Sequence, residues 1–141
     1  MKNNILFIML VMICSCKSQE ALLDGCNECN FEVLKIINEE KIVKQKNIRM
    51  LLQSLNNYCL KHNVEYAEWI NETLFSLLEN NTEMLLKELE LYENTEIFSL
   101  FLCQIKNPLS DTIPMESIKK KLMSHKMKYT IAEDIINVLG K

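Results

Sequence analysis

Beyond position 30, apolar residues recur every three or four positions, the period of helices that bury one face. The first such stretch follows Asn30, a natural N-cap, and carries Phe31, Leu34 and Ile37. The second runs from about 41 to 61 with a stripe of Ile48, Leu51, Leu52, Leu55, Tyr58 and Cys59. A third begins after Asn63 and carries Tyr66, Ala67, Ile70, Leu74, Leu77 and Leu78, with Glu65, Glu68 and Glu72 on the opposite face. A fourth starts at Asn80, where Glu83 completes a capping-box spacing, and carries Met84, Leu85, Leu89 and Leu91.

The fifth stretch, about 95–105, differs from the rest. Ile97, Phe98, Leu100, Phe101, Leu102, Cys103 and Ile105 leave almost no polar face, so it is expected to be the central helix. Asn107-Pro108 ends it. A sixth helix is expected over about 114–125, with Pro114 in its first turn. The last has Thr130 as N-cap and Glu133 three residues on, carries Ile131, Ile135, Ile136 and Leu139, and stops at Gly140. Only two Gly and two Pro occur in 141 residues, too few for the many tight turns of a β-sandwich. The expected fold is all-α, a bundle or short stack of six to seven helices, tied by disulfides.

The first sixteen residues follow another logic. Lys2 precedes an unbroken apolar run, Ile5 to Ile13, and then come Cys14, Ser15 and Cys16. The run is shorter than the roughly 20 residues a bilayer span needs but suits the core of a signal peptide. The sequence Ile13-Cys14-Ser15-Cys16 resembles the lipobox of bacterial lipoprotein leaders. That resemblance covers only the leader. It implies cleavage before Cys16 and a lipid-modified Cys16, hence an exported, membrane-anchored protein on the periplasmic or cell-surface side. The chain then divides into a leader (1–16), a short tether with cysteines (17–29) and a helical domain (30–141).

Charge adds little about chemistry. The formal net charge is −3, and removal of 1–16 takes away Lys2 and no acid. Such a balance gives no reason to expect nucleic acid as a partner. The distribution is uneven, however. Glu79, Glu83, Glu88, Glu90, Glu93 and Glu96 crowd one stretch with Lys87 alone among them, while Lys119, Lys120, Lys121, Lys126 and Lys128 fall in a stretch without acid. These blocks read as wet helix sides or as surfaces that steer a charged partner or an anionic membrane. Glu88, Glu90 and Glu93 are therefore partner-binding candidates. So are Trp69 and Phe75, which flank the polar face of the third helix, edge-of-core packing being the other reading.

If Cys14 leaves with the leader and Cys16 carries lipid, Cys26, Cys29, Cys59 and Cys103 remain. An even number in an exported domain points to disulfides, and three pairings are open. Cys59 and Cys103 lie on apolar stripes and are expected to be buried, with the 26–29 segment tied down onto helices two and five. Cys26-Asn27-Glu28-Cys29 also has the spacing of a thiol redox motif, though without the preceding strand such motifs follow. Zinc ligation by the four is a third reading. His62 and His125 fall at helix ends beside lysines, where a cation meets the helix dipole. Two glycosylation sequons occur, Asn71-Glu72-Thr73 and Asn80-Asn81-Thr82, of a kind that chance supplies in an Asn-rich chain. No nucleophile elbow or phosphate loop is present, and no cofactor is implied. The sequence thus points to a lipid-anchored protein-binding module of the cell envelope, of inhibitor or immunity type. The alternatives are a thiol–disulfide redox protein using Cys26 and Cys29, and a structural accessory lipoprotein of an envelope assembly.

Overall fold

The computed structural model of the chain describes residues 29, 31–39, 43–56 and 58–140. They form eight helices and no strand: α1 (Phe31–Glu39), α2 (Gln45–Ser54), α3 (Tyr58–His62), α4 (Val64–Asn80), α5 (Thr82–Glu90), α6 (Glu96–Lys106), α7 (Met115–His125) and α8 (Ile131–Leu139). The leader, Cys16, Cys26 and the Asn30 cap lie outside the described residues, as does the side chain of Cys59. Among the described residues no helix is long and apolar enough to cross a membrane.

α4 is the hub. Asn63 Oδ1 accepts the Tyr66 N–H at 3.0 Å and opens the helix where the sequence placed its start. Tyr66, Ile70, Leu74, Leu77 and Leu78 are buried along it, and it packs against α1, α3, α5, α6 and α7. The expectation that the 95–105 helix is central is corrected here. In α6 only Phe98, Phe101 and Ile105 are buried; Ile97, Leu100 and Leu102 are half-buried, and Ser99 and Cys103 face solvent. α6 packs on α2, α4 and α8 from one side, so its apolar surplus lies along the rim of the core.

Two other boundaries differ from the sequence reading. The stretch over 41–61 is two helices, because the chain tightens after Ser54: its Oγ donates to Leu51 O and the Leu55 N–H bonds Leu52 O, three residues back. The capping boxes at Asn80/Glu83 and Thr130/Glu133 do not form. α4 runs to Asn80, Asn81 breaks the helix at φ −134, ψ 34, and no side chain caps α5 or α8. Glu83 and Glu133 instead meet lysines from the α7–α8 connection. Asn94 takes a left-handed φ of 64 to turn the chain into α6, a conformation that Asn tolerates better than most residues.

Two buried polar clusters fix how the helices sit. Asn71, 2% exposed, sends its amide to Gln104 O at 2.7 Å and Asn107 O at 3.3 Å and accepts the Leu109 N–H at 3.2 Å. One α4 side chain thereby satisfies the carbonyl end of α6 and the loop beyond it. Asn71 and Thr73 are both buried, so that sequon is a packing feature. The second cluster centres on Glu88, which is fully buried. Arg49 reaches it with Nε at 3.0 Å and Nη2 at 3.2 Å, and Gln45 Nε2 donates to it as well.

Candidate functional site

The structure separates the five partner-binding candidates. Glu90 and Glu93 are exposed on the side of α5 and the turn after it. Glu88 is not on that wet face. It points inward between α2 and α5, where burial pushes its pKa up but hydrogen bonds from Arg49 and Gln45, with the Arg49 charge, outweigh this and hold it below the usual carboxylate range. Phe75 is buried at 3% and belongs to the core. Trp69 is 37% exposed and meets the Phe31 ring edge-on at 5.6 Å; Phe31 in turn meets Tyr66 at 5.2 Å. The indole thus takes part in packing between α4 and α1 while part of it stays exposed.

The disulfide scheme is also corrected. Cys103 is a free, exposed thiol. It falls on the solvent side of α6 with Ser99 and Lys106, at helical spacing from both, while Phe98, Phe101 and Ile105 take the core side. No bridge therefore ties the N-terminal segment to α6. Cys29 is half-buried just before α1, its carbonyl accepting the Phe31 N–H, and its Sγ receives the Asn63 Nδ2 at 3.6 Å.

An open cleft of about 920 Å³ lies between the α4–α5 corner and the α7–α8 connection. Its two sides come from the two charge blocks seen in the sequence. Glu79, Glu83, Lys87 and Glu90 stand on one side; Lys121, His125 and Lys128 stand on the other. Met84 and Tyr129 give it apolar surface. Lys128 bonds Glu83 across it, and Lys121 donates to the backbone carbonyl of Glu79 near the end of α4. The Lys128 bond and charge hold the Glu83 carboxyl below its ordinary range, and Glu83 in turn raises Lys128. Lys128 also lies 5.1 Å from the centre of the Tyr129 ring, and His125 stands 6.2 Å from it, ring to ring. The arrangement can attract and orient a charged ligand surface. Among the described residues no group of three or more His, Cys, Asp and Glu is set to hold a metal ion.

Sequence reasoning marked both charge blocks but did not bring them together. It missed Gln45 and Arg49 as partners of Glu88, and Tyr129 in the cleft. The signal for the cleft was the opposite sign of the two blocks, and it needed the fold to set them face to face. Compared with known proteins, the chain matches no family model, no curated protein sequence and no solved structure.

Proposed function

We propose that this is an exported, lipid-anchored protein of the cell envelope whose helical domain binds a protein partner, as an inhibitor or immunity-type protein does. The anchor is supported by Ile13-Cys14-Ser15-Cys16 behind a short apolar run. The binding role is carried by one observation, the open cleft with acids crowded on one side and bases on the other. Opposed charges around a concave surface favour fast, oriented docking of a complementary protein. Photo-crosslinking residues placed at Lys87 and Glu90 in the cleft, and at exposed Lys35 on α1 as control, test this in living cells. The cleft positions are expected to give one discrete adduct and Lys35 none, with the adduct lost in Lys128→Glu. Equal adducts from all three positions, or none from the cleft, would overturn the reading.

The same proposal includes a disulfide at Cys29, with Cys59 or Cys26 as partner. Asn63 supports the first choice: it follows directly on α3, which carries Cys59, and its amide lies at the Cys29 sulfur. An oxidising compartment favours such pairing. Non-reducing mass spectrometry of protein isolated from the envelope should find a bridge at Cys29 and a free Cys103. A free Cys29 thiol would refute it.

A further inference from the structure

We propose that the outer face of α7, with the turn that follows it, rests on an anionic lipid surface; this builds on the anchoring through Cys16 proposed above. The first observation is a separation of charge. Residues 17–114 hold sixteen acids against nine bases, whereas residues 115–141 hold six lysines against Glu116, Glu133 and Asp134. Most of the domain is therefore repelled by an anionic bilayer, and the α7–α8 hairpin is the part that is attracted.

The second observation is apolar. Met123 is 56% exposed and Met127 is 98% exposed. Lys120, Met123 and Met127 follow one another at spacings of three and four, away from buried Ile118 and Leu122 and away from the cleft side chains Lys121 and His125. Two flexible apolar side chains among lysines have the chemistry of an interfacial contact: thioethers enter the headgroup boundary and ammonium groups meet phosphates. Three of the lysines have acidic neighbours on the surface, Lys119 with Glu116 at 3.6 Å, Lys126 with Glu133 at 3.0 Å and Lys128 with Glu83. Exposed pairs of this kind are weak and readily exchanged for another anion.

The tether makes a weak contact sufficient. The chain from Cys16 to Cys29 spans at most about 45 Å even when fully extended, so an anchored domain stays at high local concentration over the bilayer.

The test uses the purified lipidated protein in vesicles of phosphatidylglycerol or of phosphatidylcholine, with lysine acylation and methionine oxidation read by mass spectrometry. Flotation with the vesicles comes first; protein that fails to float overturns the anchoring and this inference with it. In floated protein, Lys120 and Lys126 should acylate, and Met127 oxidise, at least about threefold more slowly on phosphatidylglycerol, the lysine effect vanishing near 0.5 M salt where screening is nearly complete. Lys35, Lys46 and Lys61 should show no such protection. A Lys120→Glu, Met127→Ser double variant, altered only at exposed positions, should float equally and lose the protection. Equal rates on both lipids with normal flotation would overturn the proposal. So would protection that appears only when envelope proteins are added, which would assign the face to a protein partner.

Discussion

Removing the Glu88 carboxylate tests how the fold is held. Glu88 has no exposed surface, and it accepts from Arg49 twice, at 3.0 and 3.2 Å, and from Gln45. It joins α2 to α5 within the cluster that also places one side of the cleft. In Glu88→Ala those charge-assisted bonds are lost, each worth about 1.5–3 kcal/mol, and the one methylene removed with the carboxylate takes away about 0.8 kcal/mol of apolar burial. Two effects reduce the total. The buried carboxylate no longer has to be desolvated. Arg49, its side chain 48% exposed, can turn into water and is not stranded. The net loss should be about 2–4 kcal/mol, which for a domain of this size lowers Tm by about 8–16 °C at roughly 4 °C per kcal/mol. Chemical denaturation followed by circular dichroism measures it. The pH dependence adds a second readout. The folded-state pKa of Glu88 is depressed, so its stabilising contribution is complete above the unfolded carboxylate pKa of about 4.3 and is lost as pH falls through the lower folded value. Glu88→Gln should lack that acid-dependent increment, and its stability difference from the wild type should shrink as pH falls below about 4. A Glu88→Ala loss under about 0.5 kcal/mol, or a Glu88→Gln difference that does not change with pH, would refute the reasoning.

Asn71→Leu should cost about 2–4 kcal/mol, since it strips partners from the Gln104 and Asn107 carbonyls and the Leu109 N–H; an unchanged denaturation midpoint would contradict this. Cys103 should react stoichiometrically with a maleimide in the native protein, and Cys103→Ser should leave Tm unchanged, because the thiol is exposed and free; a buried, unreactive thiol would show the α6 face to be misassigned. Lys128→Ala should leave the denaturation midpoint nearly unchanged, as expected for an exposed pair, while weakening any contact made through the cleft; a clear fall in the midpoint would make that pair structural.

Helix existence was legible in the sequence because amphipathic period and burial arise from the same residues. Ile48, Leu51, Leu52 and Leu55 are buried as their spacing implies, and so are Tyr66, Ile70, Leu74, Leu77 and Leu78. The hierarchy of helices was not legible. An apolar face all round, as in α6, tells only that no polar side exists, while centrality depends on how many neighbours close on a helix, which is a property of topology. The Asn80 and Thr130 caps do not form, and their expected partners meet lysines instead, Glu83 with Lys128 from a distant segment and Glu133 with Lys126 from the turn just before its own helix. Glu88 illustrates the same limit at the site. One acid in a run of six reads as surface, and only the approach of Arg49 and Gln45, about forty positions earlier, makes its burial tolerable.

One measurement tests the proposed export and anchoring through Cys16 directly. Intact mass spectrometry and N-terminal sequencing of the protein recovered from the membrane fraction of its native cells should find a chain beginning at Cys16 and carrying the added mass of acyl groups, with Cys16→Ser lacking that mass and absent from the membrane fraction. A chain beginning at Met1, or a mature chain whose Cys16 bears no lipid, would contradict the account.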